Sequence, residues 1–157
     1  PTSEEGHRRL ADMLYGKGDY PGAAEHYARA VERRPDYMQA RYNLAMALLA
    51  QRRHDEAIAH LRWIVEHHEN QPNVHYLLGR TLRAAGDVEG AVEQYRHAIA
   101  LQPDYYQAHN NLANILIAQG KVDEAIEHYR RALEIHPDYD TARQNLEKAL
   151  RSKGGPN

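Results

Sequence analysis

The sequence predicts an all-α fold, a solenoid of antiparallel helix–turn–helix repeats, and three observations lead there. Three stretches of the 157-residue chain echo one another: GDYPGAAEHYARAVERRPDY, GDVEGAVEQYRHAIALQPDY and GKVDEAIEHYRRALEIHPDY. Their closing prolines share one lattice, because Pro103 and Pro137 stand 34 residues apart and Pro35 lies two such steps before Pro103. Within that period the apolar residues recur at helical spacing. A fixed period of this size marks a stack of small helical units, none of which can bury its apolar face alone.

Sliding the frame along the chain gives repeats 4–37, 38–71, 72–105 and 106–139 without insertion, then a capping helix over 140–152 and a flexible tail over 154–157, with residues 1–153 read as one domain. Position 7 of the frame holds Leu10, Leu44, Leu78, Leu112 and Leu146, and position 11 holds Leu14, Leu48, Leu82, Leu116 and Leu150, one turn further along the same face. Position 8 is Ala11, Ala45, Gly79 or Ala113, and position 20 is Ala23, Ala57, Ala91 or Ala125, small residues that let two helices approach. On the second helix, Tyr27, Leu61, Tyr95 and Tyr129 at position 24 are knobs. Ala30, Ile64, Ala98 and Ala132 at position 27 leave their holes.

The turns follow the same frame. Gly18, Gly86 and Gly120 fall at position 15, where a first helix ends on a residue of positive φ. The prolines at position 32 stop the second helix. Asp36 precedes Gln39 by three residues and Asp104 precedes Gln107 likewise, the spacing of a capping box for the next helix. The second repeat departs from this scheme with Arg52 for glycine, Leu61 for an aromatic and Glu69 for proline, so its two turns are expected to be looser. The half-repeat keeps Leu146 and Leu150 but places Glu147 at position 8, which suits a cap rather than a surface for another helix. The first hairpin has no such cover.

Composition excludes several functions. Twenty basic and 22 acidic residues are interspersed to a net charge of −2, so no basic stripe exists for nucleic acid. No apolar run reaches the roughly 20 residues of a membrane span, and direct membrane insertion is not expected. A start at Pro1 without methionine suggests a processed or excised chain. With no cysteine there is no disulfide and no thiolate site, which fits cytosol or periplasm, the cytoplasm slightly favoured. There is no glycine-rich phosphate loop, no GxSxG elbow and no pair of buried carboxylates, the acidic residues clustering at helix starts, so the chain is not expected to be an enzyme. The eleven histidines include His26, His60 and His128 at position 23 and His7, His75 and His109 at position 4. None forms the i, i+4 pair that zinc takes on a helix, so they read as repeat-phased surface residues, with no metal and no cofactor. Their ordinary pKa near 6.5 can make binding pH-sensitive.

By its period, its small residues at positions 8, 20 and 27 and its position-32 prolines, the chain resembles the tetratricopeptide repeat family over about nine-tenths of its length. The resemblance implies a right-handed superhelix and a non-catalytic protein–protein interaction scaffold that binds an extended peptide in a concave groove lined by the first helices. Carried over residue by residue, it makes Tyr42, Asn43, Met46, Tyr76, Leu77, Arg80, Arg83, Asn110, Asn111 and Asn114 the candidate peptide-binding residues. The asparagines at position 6, Asn43, Asn111 and Asn145, are similar to the ladder in the repeat superhelix of O-linked N-acetylglucosamine transferase; alternatively they bond to neighbouring helices. Tyr42, Met46, Leu49, Tyr76 and Leu77 read as an apolar seat, unless Leu49 and Leu77 pack between hairpins. Arg80 and Arg83 beside it suit a carboxylate, or else are solvated. The carboxylate clamp of heat-shock co-chaperones is not kept, since its cation positions hold other residues. Two rival readings stand beside the peptide groove. One is a self-assembling module, homo-oligomeric through its first hairpin or through groove–tail contacts. The other is an accessory domain of a larger membrane or transferase protein, as the C-terminal repeats resemble those behind such domains in bacteria.

Overall fold

A computed structural model describes residues 2–154. Among these the chain forms nine α-helices and no strand: α1 (Glu4–Gly16), α2 (Tyr20–Arg33), α3 (Met38–Ala50), α4 (His54–His67), α5 (Pro72–Ala85), α6 (Val88–Leu101), α7 (Tyr106–Ala118), α8 (Val122–Ile135) and α9 (Asp140–Lys153). Each helix packs on the next in chain order, and α7 also meets α9. The four hairpins thus stack into a right-handed solenoid with α9 on its last face.

The alternation of helix and turn has a local cause. Gly18, Gly86 and Gly120 end their first helices at φ of 81°, 92° and 75°. Arg52 takes the same left-handed conformation at φ 59°. In all four turns a backbone N–H returns to the equivalent leucine carbonyl, from Asp19 to Leu14, Arg53 to Leu48, Asp87 to Leu82 and Lys121 to Leu116, at 2.9–3.0 Å. The first turn of the second repeat is therefore not looser. Its geometry is kept at a cost of about 1 kcal/mol for a side chain in the left-handed region. Its second turn also keeps register without a proline at position 32, because α4 stops at His67 and Pro72 opens α5, where its missing N–H leaves no bond unmade.

The two expected capping boxes do not form. Helices α3 and α7 begin after Tyr37 and Tyr105 with no side-chain cap, which leaves Asp36 and Asp104 one residue outside the capping position. The Gln39 amide turns along the helix and donates to Asn43 at 3.0 Å. These joints are tied instead by the residue at position 4. Arg41 donates to the Pro35 carbonyl, His109 Nε2 to the Pro103 carbonyl at 3.1 Å, and Arg143 to the Pro137 carbonyl at 2.6 Å. Side-chain caps appear at Ser3, Asp19 and Asp87, which accept from the N–H groups of Gly6, Gly22 and Gly90.

The core is one alanine-rich seam running the length of the stack. Knobs Tyr27, Leu61, Tyr95 and Tyr129 are all 2% exposed or less. Their counterparts Ala30, Ile64, Ala98 and Ala132 are fully buried. Gly79 is a point of close helix approach in this seam, since a Cβ there would lie 2.8 Å from the Tyr95 ring. The position-4 histidines are not surface residues as expected. His7, His75 and His109 are buried against position 23 of their own hairpins, and burial follows from the two positions facing each other across the hairpin. His7 meets His26 at 2.9 Å, Arg41 meets His60 at 3.5 Å, His75 donates to Gln94 at 2.8 Å, and His109 meets His128 at 2.8 Å. At the ends, α9 buries Ala142 and Ala149 while Glu147 stays exposed, and α1 leaves Met13 59% exposed. Of the expected tail, residues 155–157 lie outside the described residues.

Candidate functional site

Three clefts open between successive first helices, and one plan builds all of them. The first, of about 380 Å³, lies between α1 and α3; the second, of about 480 Å³, between α5 and α7; the third, of about 330 Å³, between α7 and α9. The tyrosine at position 24 of the intervening second helix lines each one: Tyr27, Tyr95 and Tyr129. Positions 9 and 12 of one first helix and position 6 of the next supply the walls. Between α3 and α5 the equivalent positions are apolar and buried in the core, Leu61 at position 24 and Leu77 at position 6.

In the two outer clefts the tyrosine is satisfied from within. The Tyr27 hydroxyl donates to Asp12 at 2.6 Å, and Asn43 donates to the same oxygen at 3.2 Å while Arg8 bonds its other oxygen. The Tyr129 hydroxyl donates to Asn114 at 2.6 Å, and Asn145 donates to that same oxygen at 3.0 Å. Position 9 is thus an acceptor in both outer clefts. In the middle cleft position 9 is Arg80, which has donors only. The Tyr95 hydroxyl, on a side chain with no exposed surface, consequently has no hydrogen-bond partner among the described residues. Burial raises the pKa of all three phenols, that of Tyr129 to about 12, so each remains a neutral donor at physiological pH.

The expected site residues are distributed unequally over this plan. Tyr42, Asn43 and Met46 share the first cleft with Asp12 and Tyr15, and Arg80, Arg83 and Asn111 share the middle one. Asn114 lines the last. Tyr76 is half-buried beside the middle cleft; its ring centroid lies 4.9 Å from that of Tyr105 and its hydroxyl accepts from Asn111 at 3.2 Å. Leu77 and Asn110 do not reach the groove. Leu77 is 8% exposed and packs between hairpins, and Asn110, 2% exposed, accepts from Asn145 across the α7–α9 joint at 3.2 Å. The asparagines at position 6 spend their amides on neighbouring first helices, so their recurrence is in the first place a device for stacking.

The tetratricopeptide repeat model matches residues 8–72 and 76–140. The chain belongs to the tetratricopeptide repeat family. No curated protein sequence matches it. Among solved structures it is similar to MamA, at a TM-score of 0.91 with 24% identity, over 96% of this chain and 82% of that one. A MamA fragment from Desulfovibrio magneticus RS-1 aligns at a TM-score of 0.80 with 22% identity, over 88% of this chain and 78% of that one. YrrB, a tetratricopeptide repeat protein with an unusual peptide-binding site, aligns at a TM-score of 0.83 with 19% identity, over 92% and 74% of the two chains. At these identities the likeness shows the fold.

Tetratricopeptide repeat proteins are typically non-catalytic interaction modules, and this fold supports a protein–protein interaction scaffold with protein or peptide partners. No helix of the described residues is long and apolar enough to cross a membrane. Within this tetratricopeptide stack, the first helices alone do not make the cleft floors. Tyr27, Tyr95 and Tyr129 sit on second helices and register in the sequence as packing knobs. The signal that reveals them is chemical, since a buried phenol needs an acceptor and position 9 offers one in only two of the three clefts that have a tyrosine floor.

Proposed function

We propose that the chain holds an extended segment of a partner protein along the face on which the three clefts open. The observation behind this reading is their succession on one plan: an apolar first cleft of Tyr15, Tyr42 and Met46, then a cationic middle cleft with Arg80 and Arg83, then an amide-rich last one. Half-buried aromatic and methionine side chains at an opening are the usual seats for a partner's apolar residue. YrrB, of the same fold, has a peptide-binding site, which supports the same use of this face.

Selection of random dodecapeptides on the full chain, followed by calorimetric titration, tests the proposal. Selected peptides should bind the chain, and Tyr42→Ala with Met46→Ala should weaken them by about tenfold or more, the loss of two buried anchors. The variant's helical circular dichroism and unfolding midpoint serve as the folding control. Peptides whose affinity is untouched by this pair, in a folded variant, would overturn the groove assignment.

A further inference from the structure

The first and middle clefts share a tyrosine floor and a position-6 asparagine and each has arginine donors, though from different frame positions, and only the first contains a carboxylate. Around Asp12 stand the Tyr27 hydroxyl, the Asn43 amide and the Arg8 guanidinium, all bonded to it. Around the corresponding point of the middle cleft stand the Tyr95 hydroxyl, Asn111 and two arginines, Arg80 and Arg83. Neither arginine pairs with an acidic side chain among the described residues, although most surface arginines of this chain do, Arg29, Arg53, Arg131 and Arg143 included. A buried hydroxyl without an acceptor costs free energy comparable to a lost hydrogen bond and is rare in folded chains. Here it lies at the floor of a cleft whose charged groups, Arg80 and Arg83, are donors only, and the one acceptor lining it, Asn111 Oδ1, already accepts from Asn110.

We propose that the middle cleft is a receptor for an aspartate or glutamate side chain of the partner segment, which takes the place that Asp12 fills in the first cleft. This rests on the peptide-groove reading and specifies its ligand chemistry. One oxygen accepts from Tyr95 and Asn111, as the Asp12 oxygen does from Tyr27 and Asn43. The arginines bond the other oxygen, where a guanidinium fork is suited to a carboxylate. The arrangement shares only the position-6 asparagine with the co-chaperone clamp, because its cations stand at positions 9 and 12 of one first helix and its floor is a tyrosine of the second. First helices packed 8–10 Å apart put the apolar and cationic clefts roughly 16–20 Å from each other. An extended chain covers that in about five or six residues. The preferred segment therefore has an apolar residue followed or preceded, at about that spacing, by an acidic one.

The test is a titration of the isotopically labelled full chain with N-acetylglutamate α-amide, followed by NMR at the Arg80 and Arg83 Nε–H groups and the Asn111 side-chain amide. Saturable shifts at these groups, absent with N-acetylglutamine α-amide, are expected. Arg80→Gln with Arg83→Gln should abolish them, and Tyr95→Phe should weaken binding by about tenfold, the worth of one charge-assisted hydrogen bond. Shifts that grow linearly without saturation, equal shifts with the glutamine compound, or unchanged affinity in a folded arginine variant would each overturn the proposal. Tighter binding of inorganic phosphate than of the glutamate compound would also overturn it, in favour of a phosphate site. If the selected dodecapeptides lose affinity with Tyr42→Ala and Met46→Ala but not with the arginine pair, the groove stands and the carboxylate receptor falls.

Discussion

The outer repeats, first and fourth, differ from the inner two in how they treat the same frame positions. In the outer pair the tyrosine of the cleft floor is bonded by Asp12 or Asn114, and the hairpin is cross-linked by a histidine pair. In the inner pair position 24 is a buried leucine in one repeat and a tyrosine without an acceptor in the other, and the hairpin links are Arg41–His60 and His75–Gln94. The outer repeats are thus internally complete, and the buried side-chain atoms without a partner among the described residues, His54 Nδ1 and the Tyr95 hydroxyl, fall one in each inner repeat. In a stack whose stability is shared between neighbours, an unsatisfied group is tolerable in the middle, where both faces are covered. Repeats of one sequence pattern therefore divide into those that hold the stack and those that retain bonding capacity.

The largest effect that sharpens this contrast is expected at Gly79. Ala11 and Ala113 hold the equivalent position in the outer repeats, but at Gly79 a Cβ would meet the Tyr95 ring at 2.8 Å and the Ala91 carbonyl at 3.2 Å. Gly79→Ala should lower stability by about 1–3 kcal/mol in urea unfolding, the cost of overpacking a core. An unchanged midpoint would mean that Tyr95 is free to shift, and that its unbonded hydroxyl is not fixed by packing. Next in size are the three floor hydroxyls. Tyr27→Phe and Tyr129→Phe should each cost about 1–2 kcal/mol, because each strips a hydrogen bond from a buried phenol. Tyr95→Phe should be neutral or stabilising, since its hydroxyl has nothing to lose. Equal losses at all three positions would erase the distinction between inner and outer repeats.

How far the sequence reveals this follows from what each position depends on. The helices, their register and the knobs at position 24 depend on spacing, and spacing is visible in a single chain. Arg52 shows that even a departure from the pattern keeps the geometry when neighbours on both sides impose it. The capping boxes failed for a local reason, because α3 and α7 begin one residue after Asp36 and Asp104 could cap them. Site residues depend on direction as well as spacing. Asn110 and Asn111 are adjacent in sequence, yet one is buried toward α9 and the other lines the middle cleft. The contrast between Asp12, Arg80 and Asn114 at one frame position is written in the sequence, but its meaning appears only when the phenol that each must satisfy comes from another helix.

The smallest effect per group is expected from acid, and it falls on the outer repeats. Burial, followed by the charges of His26, Arg33 and Arg29, lowers the pKa of His7 below its ordinary value. Burial lowers His109 too, with Arg131 adding to it and the Pro103 carbonyl opposing. His128 is lowered by burial, His109 and Arg96, against Glu124 and Glu127. In the inner repeats His60 is lowered by burial and Arg41, against Glu56. A histidine whose folded pKa lies below the unfolded value binds fewer protons folded than unfolded in the interval between them. Its contribution is therefore complete above about pH 6.5 and is lost as pH falls through that value toward the folded pKa. Each facing pair shares one bridging proton, and a second proton on the facing nitrogens would set two N–H donors against each other. Unfolding midpoints should fall between pH 7.5 and 5.5. His26→Gln with His128→Gln, which copies the His75–Gln94 link of the third repeat, should flatten that slope. A slope equal in both proteins would place the acid sensitivity outside the histidine pairs and remove this part of the difference between outer and inner repeats.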